Sequence, residues 1–161
     1  MMNSEQLTHF NAQGEAHLVD VGTKQPTKRV AVASGQINVN EVAYNKIMNG
    51  NSNKGNVLEV ARIAAIQAAK QTSALIPLCH PLVLTHINVK FATDDAQRSI
   101  TIRVQAETVG STGVEMEALT AVSIGLLTIY DMLKAVDRGM IMTNLGLEQK
   151  EGGKSGMWIR E

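Results

Sequence analysis

LVLTHINVKFA (residues 82–92) and SITIRVQAET (residues 99–108), joined by Thr93–Arg98, decide the fold. In the second run Ile100, Ile102 and Val104 fall on one face, and Thr101, Arg103 and Gln105 on the other. That is the period of a half-buried strand, so the two runs form an antiparallel hairpin. On the N-terminal side, Asn56–Gln71 has apolar side chains at 57, 60, 61, 64, 65 and 68, the spacing of one helix face. Its alanines let another element approach closely. On the C-terminal side, Ser111-Thr112-Gly113 opens a long helix from Val114 to near Val136.

Weaker signals lie further out. His17–Val21 and Thr27–Val32 read as short strands. Val39–Met48 reads as a short helix capped by Asn38 or Asn40, with Gly50 near its end. Met140–Leu147 reads as a strand and Met157–Ile159 as a terminal one. A hairpin between two helices, with a strand to follow, fits a ferredoxin-like α+β sandwich: one antiparallel sheet packed on helices. One domain over residues 1–161 is expected, with residues 1–16 a mobile N-terminal segment and 150–156 a Gly/Lys-rich loop.

Hydrophobic residues make up 44% of the 161, but aromatic ones only 3%, so the core must be aliphatic. Few aromatic faces also exclude the stacking platforms of single-strand nucleic-acid binders. Lys+Arg and Asp+Glu are both 15. No global field recruits nucleic acid or an anionic membrane, and an anionic ligand must meet a local cluster of cations. Ala118–Tyr130, the most apolar stretch, is too short to span a bilayer. The single cysteine, Cys79, permits no intrachain disulfide. Met1–Gln13 shows no signal-peptide pattern. A cytoplasmic location is expected.

The chemistry concentrates in a few segments. Pro77 and Pro81 flank Leu78-Cys79-His80 and hold it in a stiff, extended backbone, which either presents His80 to a ligand or merely turns the chain into the hairpin. Neighbours in an extended segment point to opposite sides, so Cys79 and His80 are not expected to act as a dyad. Thr112 and Glu115 have the spacing of a capping box, a sufficient structural reason for Glu115. Glu117 has no such reason. Asp131 and Lys134 share a helix face in apolar company and form either a surface pair or a partly buried one with perturbed pKa values. Glu117 and Asp131 lie about 21 Å apart along one helix, so they can meet only at a site between two subunits or at opposite ends of a long substrate.

Lys54 stands at a helix N-terminus, where the dipole favours anions. His17, Lys24, Arg29, Lys150 and Lys154 are further candidate anion contacts. Gly153-Lys154-Ser155 is not a P-loop, because the required earlier glycine is Glu148 and no helix can follow. The loop's amides and Lys154 can still hold phosphate. The four histidines form no metal motif.

LTHFNAQGEAHLVDV (7–21), KGNVLEVARIAAIQAAK (54–70), LIPLCHPL (75–82), TGVEMEALTA (112–121), LTIYDMLKAV (127–136) and GGKSG (152–156) together resemble the cyclic pyranopterin monophosphate synthase family of molybdenum cofactor biosynthesis. One departure is Asn56, where the family usually has Asp. The resemblance implies a diphosphate-releasing, cyclising phosphorus–oxygen lyase. Its substrate would be 3′,8-cyclo-7,8-dihydroguanosine 5′-triphosphate, converted to cyclic pyranopterin monophosphate. It implies a homohexamer, a trimer of dimers, with sites at subunit contacts.

By position, Asp131 becomes catalytic, Lys54 and Lys134 become acid/base or charge-stabilising groups, and Leu78, Cys79, His80, Met116 and Glu117 become substrate contacts. Glu115, His17, Arg29, Lys150 and Lys154 complete the expected site. No resident cofactor or metal is required, and Mg2+ remains admissible as a companion of the triphosphate. A lysine acting as base near neutral pH needs its pKa lowered from about 10.4 to near 7. Asp131 beside Lys134 opposes that, so Lys54 is the better base. Two rivals are a non-catalytic nucleotide-binding protein and a Cys79-dependent hydrolase.

Overall fold

The structure, a computed structural model, describes residues 7–50 and 56–161. Its elements in chain order are β1 (Thr27–Asn38), α1 (Glu41–Met48), α2 (Val57–Lys70), α3 (Thr72–Leu75), β2 (Leu84–Asp94), β3 (Ser99–Gly110), α4 (Glu115–Leu133), β4 (Ile141–Glu151) and β5 (Trp158–Ile159). All strand pairs are antiparallel and the sheet runs β2-β3-β1-β4-β5. The first four strands thus have the order of a ferredoxin-like sheet, with β5 added at one edge.

The alternation in β3 is realised. Ile100, Ile102, Val104 and Ala106 are fully buried beside Ala31, Ala33 and Ile37 of β1. Val122, Leu126, Ile129 and Leu133 of α4 cover them. α4 has 19 residues and a mean hydropathy of 1.4, enough by length and composition to cross a bilayer, contrary to the shorter span read from sequence. Half of that window is buried, and the helix packs on α2, β1 and β3, which makes it the core helix of this fold.

α2 and α4 meet at Gly125. A Cβ there would collide with Ile102 Cδ1 and sit 3.4 Å from Ala65 Cβ. Helices approach this closely only when small residues face each other, and Ala61, Ala65, Ala68 and Ala69 are the buried stripe of α2. Asn56 caps α2, its side chain accepting from Leu58 N at 3.1 Å and Glu59 N at 3.2 Å. The asparagine therefore does the capping work open to an aspartate.

Several expectations need correction. β1 runs six residues beyond Val32. Residues 33–38 (ASGQIN) have little strand propensity, but they pair with β3 and β4 on both sides. Tertiary pairing overrides the propensity. His17–Val21 forms no strand; near it is only an isolated bridge, Phe10↔Ala16. Lys150 and Glu151 belong to β4, so the Gly-rich loop begins at Gly152. The capping box does not form: the N-cap of α4 is Val114, with no side-chain cap hydrogen bond.

Antiparallel register positions the site. Thr27 pairs with Gly110, and Val30 with Glu151. The start of β1 and the ends of β3 and β4 therefore share one edge, and the chain leaves β3 there directly into α4.

Candidate functional site

Two adjoining cavities open at that edge. The first, about 550 Å³, is walled by the 76–82 turn, the first turn of α4 and the irregular N-terminal segment. The second, about 770 Å³, lies between the start of β1, the end of β4 and the approach to α4. They share Lys24, Thr112, Gly113 and Glu115, so they form one cleft with two compartments.

The 76–82 turn is tighter than the extended backbone expected of it. Cys79 N donates to Ile76 O at 3.1 Å, with Pro77 where the fixed φ of proline suits a turn. Leu78, Cys79 and His80 all line the first cavity. His80 Nε2 lies 2.7 Å from Val19 O and donates to it, since a carbonyl can only accept. Nδ1 is therefore the ring nitrogen that this bond does not engage. Burial, then the charge of Glu117, push the Cys79 thiol up. A thiol held protonated is a poor nucleophile, which argues against the hydrolase rival.

Glu117 is 4% exposed. Burial, which outweighs its backbone hydrogen bond, and the neighbouring Glu115 push its carboxyl up to about 7. Glu115 folds back over Gly113, where a Cβ would collide with its carboxylate. Met116, 37% exposed, lines the same compartment.

The second compartment gathers Lys24, Arg29, Lys150 and Lys154. Arg29 Nε donates to Gly110 O at 3.3 Å, Lys150 Nζ contacts Ser155 Oγ, and Ser111 Oγ donates to Lys24 O at 3.0 Å. In a chain of zero net charge, these four cations, set against Glu115 in the same compartment, give one end of the cleft a local positive field.

Three expected site residues lie elsewhere. Asp131 and Lys134 pair at 2.7 Å on the far part of α4, with side chains 60% and 55% exposed. The partly buried pair considered from sequence is thus an exposed one in a single chain, and Asp131 raises the Lys134 pKa by hydrogen bond and charge. His17 is exposed and lines neither compartment. Lys54 lies outside the described residues. His9, Val19 and Thr112, not expected as site residues, line the cleft. Only the long-range fold places them there, so no local sequence signal marks them. Among the described residues, no group of three or more His, Cys, Asp or Glu is disposed to hold a metal ion.

Fold and cleft together define a ferredoxin-like α+β protein with a cleft that is cationic at one end and carries titratable side chains at the other. The sequence model of the MoaC family matches residues 18–153. The chain belongs to that family, which places it in molybdenum cofactor biosynthesis.

Proposed function

We propose that this chain is a cyclic pyranopterin monophosphate synthase, converting 3′,8-cyclo-7,8-dihydroguanosine 5′-triphosphate to cyclic pyranopterin monophosphate and diphosphate. The observation that carries this reading is the two-compartment cleft: four cations at one end and Glu117 with His80 at the other. A purine nucleoside triphosphate has the same polarity, a ring system needing proton transfers and a chain of anionic oxygens.

The chemistry divides accordingly. The five-membered ring of the purine opens and the atoms re-close as a pterin, which needs groups that both give and take protons near neutral pH. Glu117, with its carboxyl pushed up to about 7, suits that task, and His80, its ring held by the Val19 carbonyl, lines the same compartment. A sugar hydroxyl then attacks the α-phosphorus, its proton passing to a base, and the bond to the β,γ-diphosphate breaks. Arg29, Lys24, Lys150 and Lys154 would neutralise the charge developing on that leaving group. Such an activity is a phosphorus–oxygen lyase. Mg2+ would enter with the triphosphate.

Asp131 and Lys134 complete the reading only through a neighbouring copy. Asp131 lies about 21 Å from Glu117 along α4, and Lys134 about one turn further. In a homohexamer with sites at subunit contacts, one copy's Asp131–Lys134 pair would join another copy's cleft. Lys134, its pKa raised by Asp131, stays charged and stabilises anions, leaving Lys54 as the base. A cytoplasmic location suits both a free thiol and a nucleotide-derived substrate.

The test is incubation with the cyclised triphosphate, followed by assay of pterin fluorescence after oxidation and of released diphosphate. Both products should appear in equal amounts. Tight binding with no diphosphate release would favour the non-catalytic nucleotide-binding reading.

A further inference from the structure

We propose that the Gly152–Gly153 turn is a seat that aims the Arg29 guanidinium into the cationic compartment, making Gly153 a positioning residue for the substrate's phosphate chain. The proposal rests on the reading of the cleft given above and adds a residue that touches no substrate itself.

Backbone conformation demands glycine at both positions of the turn, and space adds a demand at Gly152 and, at Gly153, decides where a neighbouring side chain lies. Gly152 has φ +98° and Gly153 φ +73°, both in the left-handed region that L side chains rarely adopt. Space makes a separate demand. A Cβ on Gly153 would fall on Arg29 Nη1 and lie 2.8 Å from Cζ and 3.2 Å from Nη2. A Cβ on Gly152 would fall on the carbonyl oxygen of Lys28 and lie 3.1 Å from Arg29 Cδ. Gly156 gives the contrast: φ is +62°, yet nothing lies within 4 Å of its would-be Cβ. Glycine at 156 serves its own backbone, whereas glycine at 153 makes room for a neighbour.

The other side of Arg29 is fixed too. Its Nε donates to the Gly110 carbonyl at 3.3 Å, at the end of β3. The guanidinium is therefore held between that carbonyl and the bare backbone after β4. Nε is occupied, and the two Nη groups remain as donors. Among the described residues no carboxylate forms an ion pair with Arg29. A planar fork held from two sides, facing a compartment shared with Lys150 and Lys154, suits bidentate contact with phosphate oxygens. The atom that a side chain at 153 would displace is one of those remaining donors.

Binding of inorganic triphosphate and of GTP, measured by titration calorimetry, tests the inference on the wild-type chain, Gly153→Ala, Arg29→Ala and the double variant. Gly153→Ala should weaken both ligands roughly ten-fold, the scale of one misplaced charge-assisted contact. Added to Arg29→Ala, it should cost less than about twofold more, because the group it displaces is gone. In turnover, KM should rise while kcat changes little. Should Gly153→Ala fail to fold in a melting experiment, Arg29→Lys on the wild-type turn reads the same contact: loss of the planar fork should weaken both ligands roughly ten-fold, and unchanged affinity overturns the proposal.

Unchanged affinity in Gly153→Ala, or an equal loss in the Arg29→Ala background, overturns the positioning role. A wild-type chain that binds neither ligand instead overturns the reading of the cleft.

Discussion

His80 Nε2 donates to the main-chain carbonyl of Val19 across 2.7 Å, joining a turn between two prolines to a segment with no regular structure. Sixty-one positions separate the partners in sequence. The bond fixes the imidazole ring and at the same time pins one wall of the cleft. His80 therefore has two separable duties, and two substitutions divide them. Glutamine places an amide N–H near Nε2 but cannot transfer protons near neutral pH. His80→Gln should keep residues 7–24 protected against hydrogen exchange while lowering kcat by roughly 10²–10⁴. His80→Ala should lose both, with a stability cost of about 1 kcal/mol. Equal exchange protection in wild type and His80→Ala would show that the bond does not hold the wall.

Glu117 carries a pH signature. Its carboxyl stands at about 7 in the folded chain, against a usual 4.5, because burial disfavours the charged form. Between those values the folded state binds more protons than the unfolded one, so stability falls as pH rises. The contribution is fully present below pH 4.5 and lost once pH passes about 7. Its full size is roughly 3 kcal/mol. Glu117→Gln removes the ionisation and should gain stability over wild type from pH 5 to pH 8. Urea unfolding of both proteins across that range checks the sign, and a gap that stays constant or narrows would exclude a raised pKa.

The hairpin and both long helices were legible because their evidence is local. The alternation of β3 survives into the fold as read, and α2 keeps its 3.6-residue period, but its buried stripe is Val57, Ala61, Ala65, Ala68 and Ala69, with Val60 left exposed and Ala64 half-buried. The second half of β1 was not legible. Gly35 and Gln36 look like a loop until β3 and β4 pair on either side, and Gly35 is needed where α4 presses on the sheet, since a Cβ would lie 2.8 Å from Leu126 Cδ1. The site divides along the same line. His80 was legible because two prolines mark its turn, and Arg29, Lys150 and Lys154 by their charge. His9, Val19 and Thr112 reach the cleft only by tertiary placement. The spacing of Thr112 and Glu115 even misled, for it matches a capping box that the backbone does not make.

Gly125 should tolerate no side chain. Alanine favours a helix over glycine by about 1 kcal/mol, but here its Cβ would collide with Ile102 Cδ1. Overpacking typically costs about 1–3 kcal/mol, so Gly125→Ala should be destabilising on balance and Gly125→Val more so. A lowered denaturation midpoint at an unchanged m value would be the expected result. A raised midpoint in Gly125→Ala would mean that α4 does not press on Ile102 of β3 as closely as the structure has it.

The separation of Asp131 from Glu117 yields a test that needs no structure of an assembly. Asp131 and Lys134 are exposed, so Asp131→Asn should leave the melting temperature nearly unchanged. If that pair nevertheless serves a cleft, the cleft belongs to a neighbouring copy, because the helix between them is rigid and about 21 Å long. Asp131→Asn and Glu117→Ala should each be inactive alone. When the two variants are unfolded together and refolded, subunits mix at random, and a site drawing on two copies is intact in about a quarter of cases. The mixture should regain close to that fraction of wild-type turnover. A site confined to one chain predicts no recovery at any mixing ratio, because every chain then carries a lesion in its own cleft.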